Sequence, residues 1–357
     1  MVKVIIENDN LILEFEDLMD IMTTAHKNAI TRSKVIVINQ VDKNFKVKNI
    51  EKYKNDILMK LNQYSSTPVF LTAADIKKYK IKENEYGGTL ITAGFEIPNC
   101  IYQEELFNVD CFGTINVISW LNIKLTPSGL LDFFRTVTEA KCLSSSDLLL
   151  RCKSRSSGTS SDAIAVAAKI SDNGIMYSGM ATTHGNSIAR MIHELLISFD
   201  RDADTILKRS LGLSLSEIVD EAMIIYNKAP VPNVDEKQVY NMVYKELESE
   251  LKDPNVWSYI IAARELDLRG ESNTFPFLPK EEYEKDSKRI ISDEALASSL
   301  SIYLSGFKGL TSTYWVDTIK DKEKLKFSQL PMFEDDIVSA LIGSTLSKVY
   351  DNLLRGK

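Results

Sequence analysis

The run Ser156-Ser157-Gly158-Thr159-Ser160-Ser161-Asp162-Ala163 sets small hydroxyl residues and one carboxylate directly before the apolar segment Ile164 to Ala168. Such a loop brings backbone N–H groups, hydroxyls and a carboxylate close to a ligand without bulk in the way, as the floor of a site requires. The competing reading is a solvated Ser-rich linker, because Ser/Thr/Gly clusters mark loops. Its neighbours speak against a linker: the strand-like Phe112 to Ile118 precedes it, followed by a helical stretch carrying Thr138-Glu139-Ala140-Lys141. A second group of chemistry-bearing residues is acidic. Glu265 lies at the border of the apolar face of a helix from Pro254 to Arg269, and Asp293-Glu294 and Asp335-Asp336 each open a helical pattern. Taken singly, acids in a first helical turn answer free N–H groups and the helix dipole. Taken together, carboxylates converging between helices form a hard-oxygen cage suited to Mg²⁺ and to phosphate oxygens beside it.

The elements that must position these residues are legible from periodicity. Val2 to Ile6 and Leu11 to Phe15 alternate around Asn8-Asp9-Asn10, which predicts a β-hairpin. Further strands are expected at Val35 to Asn39, Val69 to Thr72, Gly88 to Ala93, Thr114 to Leu121 and Asp162 to Ala168, with helices at Lys48 to Tyr64, Pro127 to Leu143 and Gly185 to Phe199. After about Asp200 alternation gives way to helical periodicity. The expected fold is therefore an N-terminal α/β (or α+β) mixed-sheet domain over residues 1–203 and an all-α domain over residues 204–357, the boundary falling between Asp200 and Thr205.

The bulk numbers exclude several classes. A chain of 357 residues has room for two cores. With 43 Lys and Arg against 50 Asp and Glu, a net charge of −7, it has no basic face for nucleic acid or an anionic membrane. Cys100, Cys111, Cys142 and Cys152 lack C-x-x-C spacing and are expected to be reduced, buried thiols. The first residues carry no leader pattern, and no apolar stretch of about twenty residues occurs, so a soluble, cytoplasmic protein without a membrane span is expected. His26, His184 and His193 are widely separated, and neither a P-loop nor a G-x-S-x-G motif is present.

Met22-Thr23-Thr24-Ala25, Leu71-Thr72-Ala73-Ala74-Asp75, Gly113-Thr114-Ile115-Asn116, Thr138-Glu139-Ala140-Lys141, Ser157 to Ala163 and Gly185-Asn186-Ser187-Ile188-Ala189-Arg190 occur in an order and spacing that resembles the adenosylcobinamide amidohydrolase family. The resemblance implies hydrolysis of the amide joining aminopropanol to the corrin ring, with the corrinoid as substrate and not cofactor. It places Thr24, His26, Thr72, Asp75, Asn116 and Gly158 at the substrate. Amide hydrolysis needs an activated nucleophile and donors for the oxyanion. Ser157 or Thr159 can attack with Lys141 or Glu139 as base, or Asp162 and Glu139 can activate water.

Ala262-Ala263-Arg264-Glu265-Leu266-Asp267, Ile290 to Glu294, Val316-Asp317-Thr318-Ile319-Lys320 and Phe333 to Val338 resemble the archaeal α-ribazole-5′-phosphate phosphatases, which are similar to phosphatidylglycerophosphatase A. By that resemblance Glu265, Asp293, Glu294, Asp335 and Asp336 are the metal-binding and catalytic acids of a Mg²⁺-dependent phosphatase, with Arg264, Asp317 and Lys320 at the substrate. Asp321 stands where the family has proline after the lysine, and Ser339-Ala340 replaces a pair with glycine. The combined expectation is a bifunctional hydrolase of cobamide salvage acting on small molecules, compatible with a homo-oligomer. Its rivals are a phosphatase of lipid phosphates and a corrinoid-binding module without catalysis.

Overall fold

The structure is a computed structural model and describes residues 2–101, 113–285 and 290–355; Cys111 and Phe112 lie outside them. Strands β1 (Val2–Glu7) and β2 (Asn10–Thr23) form the expected hairpin, with Asn8 in the left-handed region at φ 51°. β2 runs on well past Phe15. Strand β3 (Ile30–Gln40) pairs with both halves of it, across an irregularity between Glu14 and Met19 where the acidic run breaks the alternation that sequence reading relies on. Helix α1 (Ile50–Lys60) starts after Asn49, whose side chain accepts from Lys52 N at 2.9 Å, and it buries Ile57 and Leu58. β4 (Val69–Thr72), a 3₁₀ turn at Ile76–Lys78, β5 (Lys80–Glu83), β6 (Gly87–Gly94) and the two-residue β7 (Pro98–Asn99) follow. β8 (Thr114–Leu125) leads through the cap Thr126 into α2 (Pro127–Asp147), with proline in its first turn. The short β9 (Gly158–Thr159), β10 (Ala163–Ile170) and α3 (Thr183–Ile197) complete this part.

The sheet is mixed, in the order β4-β3-β2-β10-β8-β6-β5. One edge of β2 is shared, its first half pairing β1 and its last residues pairing β10. β10 and β8 are parallel neighbours, whereas β8 and β6 are antiparallel. The sheet curls: Phe70 of one edge strand, Leu90, Trp120 and Ile21 share one inner core, against which Ile81 of the other edge strand packs. Outside the curl, α1 covers Val35 and Val37. Helices α2 and α3 cover Ile115, Val117 and Val166 through Phe133, Val137, Ile188 and Ile192. Asn116 thus alternates to the inner side with Ile118 and Trp120.

The chain divides into compact units Met1–Phe199 and Asp200–Lys357. The second is all helix among its described residues: α4 (Ala203–Ser210), α5 (Leu215–Tyr226), α6 (Glu236–Glu250), α7 (Pro254–Glu271), the single turn α8 (Lys280–Tyr283), α9 (Ser292–Glu323) and α10 (Met332–Arg355). Residues 337 to 347 of α10 are buried all round, as expected of a central helix. α9 is broken at Ser305 and Gly306, where Gly306 has φ 66°, and it folds back on itself so that Ser301 Oγ and Thr313 Oγ1 lie 2.7 Å apart. No described helix is long and apolar enough to cross a membrane.

The expectation of reduced thiols fails at two positions. Cys100 and Cys152 form a disulfide, and Cys142 is a half-buried free thiol. The cause is tertiary: β7 pairs with β9, Pro98 opposite Thr159 and Asn99 opposite Gly158, which brings the two cysteines to a Cα separation of 6.2 Å. Spacing along the chain carries no trace of that ribbon.

Candidate functional site

In the first unit, one end of the curled sheet gathers most of the sequence motifs. Because β8 and β10 are parallel, with Asn116 opposite Ala163, the strand entered from Gly113 and the strand entered from the Ser-rich loop begin side by side. The C-terminal end of β2 meets them there, Thr23 opposite Ala165. Thr23 Oγ1 and Thr24 N both donate to the Ile164 carbonyl, at 2.9 and 3.0 Å, and Ile164 N donates back to Thr24 Oγ1 at 3.1 Å. Thr72 and Asp75 arrive at the same end because Ala74 lies against Gly94, the β6 residue opposite Thr114.

Asp162 is the hub of the loop. Its Oδ1 accepts from Ile115 N at 2.8 Å and from Thr159 Oγ1 at 2.5 Å; its Oδ2 accepts from Thr159 N at 3.0 Å and from the buried Lys141 Nζ. Every direction of approach to the carboxylate is taken by a donor, one of them an ammonium delivered by α2. Gly158, at φ +144°, is required twice over: a Cβ there would stand 1.9 Å from Asp162 Oδ2 and 2.5 Å from Lys141 Nζ. Asp162, Lys141 and Thr159 therefore satisfy one another. Ser157 is left half-buried at the rim, its N bonded to the Asn99 carbonyl at 2.9 Å and its hydroxyl 3.4 Å from the same oxygen.

Other sequence-named residues are placed differently. Glu139, two positions before Lys141 on α2, faces away and pairs with Arg135 at 3.3 Å, so it does not join the cluster as a base. His26 does not present a free nitrogen: Nδ1 accepts from Asn28 N at 3.1 Å, and Nε2 lies 3.0 Å from the Ser65 carbonyl. Thr72 Oγ1 accepts from Ala74 N at 3.1 Å, and Asp75 caps the 3₁₀ turn through Lys77 N at 2.9 Å. Asn116 is fully buried; its Nδ2 donates to Thr92 Oγ1 at 3.1 Å, while its Oδ1 has no partner among the described residues. The segment Gly185 to Arg190 is not at this end. It lines a separate cavity of about 420 Å³ with Lys82, Asn84 and Tyr86.

In the second unit, Asp293, Glu294 and Asp336 place one carboxylate oxygen each within 4.8 Å of one another. Asp293 and Glu294 come from the first turn of α9 and Asp336 from just past the first turn of α10. Asp293 is 3 % exposed, and its Oδ1 has no hydrogen-bond partner among the described residues. Burial, reinforced by the Glu294 carboxyl, pushes Asp293 up to about 8, while the bond from Asp293 holds Glu294 below its ordinary range. Lys320, reaching in from the second arm of α9, is held by Asp317 and Asp335 at 2.7 Å each and by Asp336 at 3.1 Å. Burial works against its charged form, but the carboxylates outweigh it and keep the ammonium above the usual lysine range.

The remaining acids and bases named from sequence take structural places. Glu265 pairs with Arg269 at 3.2 Å along α7 and is absent from the group of converging oxygens. A position at the border of an apolar stripe does not tell which neighbouring helix it meets. Arg264 is 1 % exposed and bonds Glu334 at 3.2 Å, so it ties α7 to α10 and is not turned toward a ligand. Beside it Asp267 accepts from Phe333 N and Glu334 N, at 3.0 and 2.8 Å, and caps α10. Beside the converging acids lies a cavity of about 380 Å³ bordered by Glu294, Asp317, Asp336 and Ser339.

The family model of adenosylcobinamide amidohydrolases matches residues 2–198. This chain belongs to that family. The amidohydrolase match covers the whole curled-sheet unit up to its last helix. The chain is also similar to an uncharacterized protein of Methanocaldococcus jannaschii, 27% identical over 124 residues, covering 33% of this chain and 91% of the relative. Among solved structures it is similar to the low temperature requirement C protein from Listeria monocytogenes, at 20% identity and a TM-score of 0.37, covering 44% of this chain and 98% of that one. It is likewise similar to protein ypjQ from Bacillus subtilis, at 22% identity and a TM-score of 0.36, covering 43% and 94%.

Sequence reading of the amidohydrolase unit missed Lys54. It lies on α1 and donates to the Ala25 carbonyl at 2.7 Å; burial holds its ammonium below the ordinary lysine value. Nothing in the local pattern marks it, since the contact spans from one helix to a strand end. Ser339, whose buried hydroxyl has no partner among the described residues and borders the second cavity, was noted only as a departure from glycine.

Proposed function

We propose that the chain is a bifunctional hydrolase: the first unit cleaves adenosylcobinamide to adenosylcobyric acid and 1-amino-2-propanol, and the second removes phosphate from α-ribazole-5′-phosphate with Mg²⁺. The first half of this reading is supported by family membership and by the convergence of five matched motifs on one sheet end. In it, Asp162 and Lys141 position the loop, Ser157 at the rim or a water held there attacks the amide, and Asn116 with the loop N–H groups receives the substrate's polar atoms. Asn116 Oδ1, buried and unpaired among the described residues, suits a substrate N–H donor.

The observation that carries the second half is the buried Asp293 Oδ1, unpartnered among the described residues, facing carboxylates from two helices. The donor set is all oxygen, which fits Mg²⁺. Asp293, Glu294 and Asp336 would hold the ion, which when bound supplies charge neutralisation for the phosphoryl oxygens. Lys320 balances the surplus negative charge of Asp317, Asp335 and Asp336 and fixes their orientation. Product analysis of the purified protein tests both halves. Given adenosylcobinamide and α-ribazole-5′-phosphate, it should release aminopropanol with or without EDTA, and inorganic phosphate only without it. Aminopropanol absent from both mixtures, or EDTA-insensitive phosphate release, would overturn the corresponding half.

A further inference from the structure

The Ser-rich loop is fastened in two separate ways. Asp162 holds its floor through Ile115 N, Thr159 N, Thr159 Oγ1 and Lys141, and Ser161 adds its N and Oγ, which donate to the Gly113 carbonyl at 3.3 and 2.8 Å. Its rim hangs on β7 instead. Ser157 N donates to the Asn99 carbonyl at 2.9 Å and Ser160 N to the Ile97 carbonyl at 3.1 Å, and the two residues of β7 face the two of β9 in a sheet of their own. A ribbon this short is marginal in water by itself. Both arms that lead into it also carry a bulky residue in left-handed backbone: Ile97 at φ 51°, three positions before Cys100, and Leu149 at φ 52°, three positions before Cys152. For a β-branched side chain that region is an outlier, and such conformations persist only where the surroundings impose them. The covalent bond between Cys100 and Cys152 joins the two arms and imposes their position.

We infer that the Cys100–Cys152 bond is a redox switch on the amidohydrolase site: closed, it holds Ser157 at the rim in its working position, and opened by a dithiol reductant, it lets β7 leave the loop so that amide cleavage falls. The inference rests on the amide-hydrolysis reading of this site and adds its regulation. Cys100 is buried and Cys152 half-buried, so the thiolate of the reductant attacks Cys152 Sγ. The S–S bond breaks, and Cys100 leaves as a thiolate that takes up a proton. The second thiol of the reductant then displaces Cys152 from the mixed disulfide, which leaves two protein thiols and the reductant as its own disulfide. Burial pushes the Cys142 thiol up, so it stays protonated and outside the exchange. What opening removes is confined to the rim. None of the four bonds to Asp162, nor those of Ser161 to Gly113, involves a residue of β7, so the floor stays while Ser157 loses its anchor. A small displacement of an attacking group is enough to cost most of a rate.

The test assays the full-length chain for aminopropanol release in two states, reduced with dithiothreitol or oxidised with glutathione disulfide, well below the unfolding midpoint of the reduced form. Alkylation and mass spectrometry identify the cysteines that change. The expected kcat/KM is about tenfold or more lower in the reduced state and returns on reoxidation. The double variant Cys100→Ser with Cys152→Ser should stay near the reduced value whatever the reagent, while Cys111→Ser and Cys142→Ser should switch as the parent does. Hydrogen exchange read amide by amide should speed up on reduction at Ser157 and Ser160 and stay slow at Ile115 and Thr159. Equal kcat/KM in the two states, a bond that dithiothreitol does not open, or switching that survives in the double variant would overturn the inference and leave the amide-hydrolysis reading standing. Protection lost at Ile115 and Thr159 together with Ser157 would also overturn it, making the bond a staple of the whole unit. If neither state releases aminopropanol, the amide-hydrolysis reading fails, and exchange decides the switch by itself: selective loss at Ser157 and Ser160 supports it, and no change there refutes it.

Discussion

Replacing Asp162 by asparagine keeps the side chain's shape and changes only what it offers its neighbours. In the parent loop four donors converge on the carboxylate: Ile115 N at 2.8 Å and Thr159 Oγ1 at 2.5 Å on one oxygen, Thr159 N at 3.0 Å and Lys141 Nζ on the other. An amide has one NH₂, and whichever oxygen it replaces, that NH₂ faces donors; if it replaces Oδ2 it opposes both the Thr159 amide and the ammonium. Lys141 is only 6% exposed, so its charge is left without a counter-ion in a place water reaches poorly. Breaking a buried pair from one side costs about 3–5 kcal/mol. For a unit of this size that corresponds to roughly 2–4 °C per kcal/mol, hence a midpoint lowered by about 6–20 °C. Calorimetry on the full chain should show the transition of the amidohydrolase unit moving by that amount while the helical unit's transition stays. Adenosylcobinamide hydrolysis measured well below the lowered midpoint should fall about a hundredfold, as expected for a misplaced site. The double variant Lys141→Met with Asp162→Asn should recover part of the lost stability, because the stranded charge is gone. A single variant within about 1 kcal/mol of the parent, with unaltered kcat/KM, would show that this ion pair does not organise the loop.

Asp293→Asn and Asp336→Asn should each reduce Mg²⁺-dependent phosphate release by no less than the about 10–100-fold that loss of even a metal's outer partners brings. Amide cleavage should be unchanged in both, and parental phosphatase rates would remove these acids from the site. Glu217 accepts from Ser214 N at 2.9 Å in the capping box of α5, and these bonds, with Lys326, depress it from 4.5 to about 2. A carboxylate depressed on folding adds stability that is complete above its unfolded value and is lost as pH falls toward 2. Because the side chain is about a third exposed, the loss on Glu217→Gln should be about 1 kcal/mol at pH 7 by urea unfolding, shrinking to nothing near pH 2. Cys100→Ser opens a loop of 52 residues and should cost the amidohydrolase unit about 4 kcal/mol on the chain-entropy account, read as a lower unfolding midpoint that reductant reproduces in the parent.

Much of the framework was legible because it follows local periodicity. The β1–β2 hairpin, the start of α2 at Pro127 after Thr126 and the switch to helical texture near Asp200 all rest on patterns a short window contains. The acids at the starts of α9 and α10 were also visible, and three of the five acids named, Asp293, Glu294 and Asp336, do converge, whereas Asp335 pairs with Lys320 and Glu265 with Arg269. Illegible features depend on partners distant in sequence. Glu265 and Arg264 sit on the correct helix, but their neighbours on α7 and α10 decide their roles. Glu139 and Lys141 share one motif, yet the helical turn between them sends one to solvent and the other to Asp162. The Cys100–Cys152 bond follows from the pairing of two-residue strands that no propensity argument detects.

The division of β2's edge between β1 and β10 has a consequence for how the chain is made. β1 is available after the first seven residues, but the rest of that edge waits for Ala165 to Ala168, which lie more than 140 positions downstream. Contacts so far apart are slow to form and cannot begin until the ribosome has released both partners. Until then the nascent chain displays a half-covered strand bearing Ile21 and Met22, open to pairing with a foreign edge. Arrested chains ending before residue 163 should therefore aggregate or recruit chaperones, and those released beyond residue 199, with β10 paired and α3 in place over the sheet, should not.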